Sequence, residues 1–155
     1  MELIQKSPVL TFVKSHVSQM KTTPRRSCNV LIVDDEEAVR MFVERVVQEA
    51  GHKTTTAADG PEAIEAASKL GTIDLLITDL MMPMMSGDEL ARRLRQNQPS
   101  LKVLHLTGFS DRLFKERTTL WQDEAFLEKP CSVKGLMEAM ELLLFGRLQS
   151  TRKAT

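Results

Sequence analysis

Ile73-Asp74-Leu75-Leu76-Ile77-Thr78-Asp79-Leu80-Met81-Met82-Pro83-Met84-Met85-Ser86-Gly87 is an apolar run that stops at a carboxylate and is then broken by Pro and Gly. β-compatible residues in a short continuous run, bounded by turn formers, read as a strand buried on both faces, as in a parallel sheet covered by helices. Asp79 then sits at the strand's carboxyl end. In open α/β sheets ligands bind at that edge, so an acid there stands in a chemical position.

The same figure recurs three times. Val30-Leu31-Ile32-Val33 ends at Asp34-Asp35, Val103-Leu104-His105-Leu106 ends at Thr107, and Ala125-Phe126-Leu127-Glu128 ends at Lys129-Pro130. If the strands are parallel, three carboxylates, a hydroxyl and an ammonium converge on one edge. Two like charges about 4 Å apart repel by about 4 kcal/mol at an effective dielectric of ~20, so the cluster calls for cations or raised pKa values. Lys129 supplies one charge, and a divalent metal is the natural second.

Between these strands the pattern changes period. Glu37 to Ala50 places Val39, Phe42, Val43, Val46, Val47 and Ala50 at helical spacing, and Gly51 closes the segment. His52 to Ala58 is a less apolar strand, expected nearer a sheet edge. Asp59-Gly60-Pro61 opens a helix through Ala63, Ile64 and Ala67. Ser86-Gly87 opens another with Leu90 and Leu94 that stops near Pro99. Ser110 suits the N-cap of a fourth helix with Leu113 and Phe114, and Val133 begins a fifth with Leu136, Met137, Met140, Leu143 and Leu144 on one side. Strict alternation predicts right-handed crossovers and a five-stranded doubly wound parallel sheet with five helices. At this length the flavodoxin-like variant is the one expected.

The 155 residues, 42% hydrophobic, suit one core. We expect an N-terminal extension over 1–28, a folded body over 29–146 and a basic tail over 147–155. Within the extension, Ser7-Pro8 suits the start of a short helix with Val9, Phe12, Val13, Val17 and Met20 on one face, followed by a linker. The net charge is zero but uneven: 1–28 carry five Lys/Arg against one Glu, and 147–155 carry three Lys/Arg and no acid. Removing these from the totals of 21 and 21 leaves 13 basic and 20 acidic residues in the body, which argues against direct nucleic-acid binding. Cys28 and Cys131 form no metal or redox spacing and read as reduced thiols. No stretch approaches the 18 or so apolar residues of a membrane span, and no signal pattern opens the chain, so the cytoplasm is the expected place.

Four pieces, in order and spacing, carry a resemblance over Asn29 to about Phe145: Leu31-Ile32-Val33-Asp34-Asp35-Glu36, Asp79 to Gly87, Leu106-Thr107-Gly108 and Phe126-Leu127-Glu128-Lys129-Pro130. Together they resemble the receiver domain of two-component response regulators, the single-domain CheY-like family. The resemblance implies that Asp79 accepts a phosphoryl group from a histidine kinase or phosphotransfer protein, with Mg²⁺ held by Asp34, Asp35, Asp79 and the backbone carbonyl of Met81. It implies that Lys129 pairs with a phosphoryl oxygen and that Lys129-Pro130 is cis. Thr107 and Phe126 become the switch, and a downstream protein meets the fourth helix, fifth strand and fifth helix. The chain departs from the family at Leu120 to Glu124, which lacks the Gly that would normally end the helix.

Taken singly, Asp34-Asp35 suits an acidic helix start, Thr107 a structural strand end and Lys129 a solvated charge. His105 reads as a core histidine, the Met81, Met82, Met84, Met85 cluster as loop packing and Trp121 as a helix-end packing residue. The constellation favours a signalling module over an enzyme. Two alternatives are a hybrid sensor kinase's receiver segment and a phosphorylation-independent scaffold. A scaffold predicts loss of Asp35, Asp79, Thr107 or Lys129, and all are present. An aspartyl phosphatase needs a second acid two residues after the nucleophile, where Met81 stands. No output domain is expected beyond about residue 146. Met81 and Phe109 flank the route by which water would reach the phosphoryl group, and neither can orient it, which predicts a long-lived phosphoaspartate.

Overall fold

The computed structural model describes residues 25–108 and 123–146. Five strands form one parallel sheet: β1 (Asn29–Val33), β2 (Lys53–Ala57), β3 (Leu75–Asp79), β4 (Lys102–Thr107) and β5 (Glu124–Glu128), in the order β2-β1-β3-β4-β5. Four helices accompany them among the described residues: α1 (Glu37–Glu49), α2 (Gly60–Lys69), α3 (Gly87–Asn97) and α4 (Val133–Phe145). This is the flavodoxin-like order, with β2 at one edge as its threonine-rich sequence anticipates. The helix expected after Ser110 lies outside the described residues, as do Phe109 and Trp121, so α4 is the helix expected as the fifth.

Alternation along the strands builds two cores. Leu31, Val33, Leu76 and Val103 face Ala63, Leu90, Ala91 and Leu94 of α2 and α3. Val30, Ile32, Leu75, Ile77, Leu104 and Leu106 face Val43, Val46 and Val47 of α1 and Leu136 and Met140 of α4. The central strand β3 is buried along its whole length, which is why Leu75, Leu76 and Ile77 follow one another without a polar alternation.

Local chemistry sets where the helices begin. Asp59 accepts from Glu62 N–H at 2.8 Å while the Glu62 carboxylate accepts from Ala58 N–H at 3.2 Å, a reciprocal cap at the start of α2. Ser86 accepts from Glu89 N–H at 3.2 Å at α3, and Ser132 from Gly135 N–H at 3.0 Å at α4.

The loop from β3 to α3 is fixed by two close approaches. A Cβ at Gly87 would lie 2.3 Å from the Asp79 carbonyl oxygen, and one at Gly60 would lie 2.7 Å from Met85 Sδ. Both positions therefore require glycine. Met85 is buried in the core on that side, whereas Met81 and Met84 are exposed. Of the four methionines expected as loop packing, two do pack, Met85 buried in the core and Met82 partly buried against it, and two stand in solvent.

Residues 25–28 lie against the body. Arg25 pairs with Glu141 of α4 at 2.8 Å and stands over the Phe145 ring, while Cys28 is fully buried.

Candidate functional site

The strand ends bring Asp34, Asp35, Asp79, Thr107 and Lys129 to the carboxyl-terminal edge of the sheet. One oxygen from each of Asp34, Asp35 and Asp79 lies within 4.8 Å of the others. Asp34 is buried because β1 carries it beside β3, and its carbonyl accepts from Arg40 of α1 at 2.7 Å. Its Oδ1 accepts from Glu36 N–H at 2.9 Å. Asp34 Oδ2 is 2.8 Å from the Lys129 ammonium, yet among the described residues no donor meets it in hydrogen-bond geometry.

Asp79 ends β3 almost fully buried. Its Oδ1 accepts from Met81 N–H at 3.3 Å and its Oδ2 lies 3.3 Å from Lys129 Nζ. Burial pushes this carboxyl up to about 6; the Asp34 charge adds to the rise, while Lys129 and the Met81 N–H oppose it. Burial by itself would lower Lys129, but Asp34 and Asp79 outweigh it and hold the ammonium above its ordinary value. Lys129-Pro130 is a cis peptide.

Thr107 ends β4, buried, and its carbonyl accepts from Lys129 N–H at 2.7 Å. Leu106 stands opposite Asp79 in register, so the hydroxyl-bearing residue is one step further along the neighbouring strand. Phe126 of β5 is half-buried and stacks on His105 of β4, with ring centroids 4.8 Å apart. Thus of the residues singled out in the sequence, Asp34, Asp35, Asp79, Thr107 and Lys129 share one edge. Phe126 lies two residues before Glu128, the register partner of Thr107.

Arg40 does not stand out in the sequence. Its spacing, six residues after Asp34 and within the first turns of a helix, is the signal that could have found it. The thiols of Cys28 and Cys131 are pushed up by burial, the opposite of an activated cysteine.

The fit to a hard cation can be judged from the donors alone. Three carboxylates face one ammonium, a buried oxygen lacks a donor among the described residues, and the Asp79 carboxyl is raised by burial and a like charge. Oxygen donors that are all carboxylate suit Mg²⁺, which keeps part of its water.

A model of the response regulator receiver domain matches residues 30–141. The response regulator receiver protein CpdR of Brucella abortus is 31% identical over 117 residues, covering 76% of this chain and 97% of that protein. The sensor kinase CckA of Brucella abortus is 36% identical over 119 residues, which is 76% of this chain but 13% of the kinase. Among solved structures, CheY4 of Vibrio cholerae, a chemotaxis protein, is similar with a TM-score of 0.68 at 30% identity, covering 77% of this chain and all of that one. The receiver domain of the hybrid histidine kinase CckA is similar with a TM-score of 0.63 at 32% identity, covering 75% and 98%.

Proposed function

The chain belongs to the response regulator receiver domain family, a phosphorelay signalling family, and from that premise we propose that Asp79 is its phosphoryl acceptor. Receiver domains take phosphoryl groups from histidine kinases or phosphotransfer proteins and bind Mg²⁺ at an acidic pocket. The observation that carries the assignment is the burial of Asp79 at the end of β3, 3.3 Å from Lys129 and grouped with Asp34 and Asp35.

In the proposed step, an ionised Asp79 oxygen attacks phosphorus in line as the bond from phosphorus to the partner's histidine nitrogen breaks. The electron pair of that bond returns to the imidazole. Lys129, already within reach of Asp79 Oδ2, pairs with a phosphoryl oxygen. The Met81 N–H and the burial of β3 hold the carboxylate in place. Asp34, Asp35 and Asp79 would hold Mg²⁺ with the Met81 carbonyl, and the ion supplies charge stabilisation for the transferring oxygens.

Thr107 and Phe126 are the proposed readout: the hydroxyl donates to the new phosphoryl group, and Phe126 follows into the space released. β5 and α4 then carry the change to a downstream protein. Among the described residues no helix is long and apolar enough to cross a membrane. The folded body is proposed as 29–146 with flanking segments 1–28 and 147–155, and the proposed role is that of the domain CpdR and CckA share.

The test is intact mass after incubation with a small phosphodonor and Mg²⁺. Wild type should gain one phosphoryl group and Asp79→Asn none. An undiminished gain in the variant overturns the assignment.

A further inference from the structure

The four described helices do not begin alike. Asp59, Ser86 and Ser132 cap α2, α3 and α4 with a side-chain oxygen, but α1 starts from Glu36, whose side chain makes no such bond. α1 is the helix that follows the acid pair, and its turn is held from Asp34 instead. The Asp34 N–H donates to the Ala57 carbonyl at 3.3 Å, its Oδ1 accepts from Glu36 N–H at 2.9 Å, and its carbonyl accepts from the Arg40 guanidinium at 2.7 Å. Arg40 stands at the end of the first turn of α1, where a cation opposes the helix dipole, so its place there needs another reason. Asp35 supplies one. It is exposed, and among the described residues no hydrogen bond or ion pair fixes its carboxylate, yet one of its oxygens lies within 4.8 Å of oxygens of Asp34 and Asp79. The Asp34 carbonyl belongs to the peptide that joins Asp34 to Asp35. A peptide is planar, so holding the direction of that carbonyl fixes the direction in which the Asp35 main chain, and hence its Cβ, leaves.

We propose that Arg40 is a positioning residue for the metal-binding acids: by holding the Asp34 carbonyl it sets the plane of the Asp34–Asp35 peptide and so keeps the Asp35 carboxylate beside Asp34 and Asp79 for a divalent cation. This rests on the reading of Asp34, Asp35 and Asp79 as the Mg²⁺ ligands. Mg²⁺ demands near-octahedral placement of its oxygens, so it tolerates little displacement of a carboxylate. Removing a residue that orients a metal ligand from behind typically costs about ten- to a hundredfold in affinity. The guanidinium's charge works the other way. A cation near the pocket repels Mg²⁺, so if Arg40 acted by charge alone its removal would tighten binding. The two roles predict opposite signs, and a binding measurement separates them.

The experiment titrates Mg²⁺ into the full unphosphorylated chain by calorimetry, comparing wild type with Arg40→Met, Arg40→Lys, Asp35→Asn and the combination of Asp35→Asn with Arg40→Met. Arg40→Met keeps a long stem without donor or charge and should bind Mg²⁺ about tenfold more weakly than wild type. Arg40→Lys, whose ammonium offers the carbonyl a single donor, should show a smaller loss. In the Asp35→Asn background the cost of Arg40→Met should shrink, because less of the binding then passes through residue 35. An affinity in Arg40→Met equal to or tighter than wild type overturns the proposal. So does an undiminished loss on top of Asp35→Asn, which is what a general loosening of the fold would give. If Arg40→Met fails to fold, Arg40→Lys decides: weaker binding than wild type supports the role, and equal or tighter binding overturns it. Unchanged affinity in Asp35→Asn would sink the ligand reading and the proposal with it, whereas a loss there beside none in Arg40→Met sinks the positioning role alone. No phosphoryl transfer enters these titrations, so Asp79 as acceptor is judged separately by the mass experiment.

Discussion

At the amino-terminal edge of the sheet, Asp74 Oδ2 accepts from Asn29 N–H at 2.8 Å and Oδ1 from Arg26 at 3.2 Å. At the carboxyl-terminal edge, Asp34 Oδ2 is buried and has no hydrogen-bond donor among the described residues. The contrast extends to the neighbours. Around Asp74, Asn29 Nδ2 donates to the Thr72 carbonyl at 2.9 Å, Cys28 N–H donates to His52 Nδ1 at 3.1 Å, and Gln98 bridges Ile73 N–H and the Gly71 carbonyl. Around Asp79, one lysine serves two buried acids. One edge uses its polar groups to close the sheet, and the other leaves two buried carboxylates sharing one ammonium.

The difference is tested hardest by neutralising one acid at each edge and reading stability without metal. Asp79 ionises near 3.8 when unfolded and at about 6 when folded. Between these values the folded state binds more protons, so stability falls as pH rises through that window, and the cost is complete once the pH is above the folded value. A carboxyl raised that far corresponds to about 3 kcal/mol. Asp79→Asn should therefore be more stable than wild type by about 3 kcal/mol near pH 8 in chelator, with the gain vanishing at about pH 4. Urea unfolding at the two pH values checks it, and Mg²⁺ should narrow the alkaline difference by stabilising the folded wild type.

At the opposite edge the sign reverses. Asp74→Ala strands the Asn29 N–H at the entrance to β1 and releases Arg26, so a loss of about 2 kcal/mol is expected. Equal signs for Asp74→Ala and Asp79→Asn in the same urea series would erase the distinction between the two edges.

What could be read from the chain beforehand follows the same division. Runs such as Leu75 to Asp79 and Val30 to Val33 announce doubly covered strands, and the acids, Thr107 and Lys129 fall at their ends, so the carboxyl edge is legible as a cluster. β2 is legible as an edge because Lys53, Thr54, Thr55 and Thr56 lack the apolar pattern. The amino edge is not legible: Arg26 and Asp74 stand 48 residues apart, and pairs between distant segments leave no periodicity. His105 is readable as a buried residue but not as one facing Asp88 and Glu124, because those meet it only once α3 and β5 flank β4. The methionine cluster is legible only in part: Met82 and Met85 pack as expected, but composition does not show that Met84 takes a left-handed backbone and stands exposed.

The next largest effect concerns the open edge alone. Met81 lies two residues after Asp79, 54% exposed as a residue and with its N–H on Asp79 Oδ1. Its thioether cannot orient a water for attack on the phosphoryl group, whereas an amide at that place can. Positioning worth about 1.4 kcal/mol changes a rate tenfold. Phosphate loss from Met81→Asn is expected to be about tenfold faster than from wild type at equal Mg²⁺. An unchanged rate would place the control of lifetime elsewhere.

The smallest expected effect compares one strained residue at each edge. Met84 in the loop after Asp79 has φ +70°, and Asp123 before β5 has φ +76°. Both lie in the left-handed region, where a Cβ crowds the following carbonyl. Aspartate tolerates it better, because its short polar side chain bonds locally, and Asp123 is further held by Lys102 and by its carbonyl accepting from Val103 N–H at 2.9 Å. The thioether of Met84 can offer no comparable local bond, and the residue is 76% exposed, so replacing it forfeits little burial. Met84→Gly should relieve the strain at a small entropic cost from the freer unfolded chain and stabilise the protein by somewhat under about 1 kcal/mol. Asp123→Gly removes the same Cβ but also the contact to Lys102, so it should give no gain. Thermal unfolding of the two variants side by side reads the difference. If both stabilise equally, the amino edge carries the same unrelieved strain as the loop beside Asp79, and its fuller pairing has not secured a better backbone.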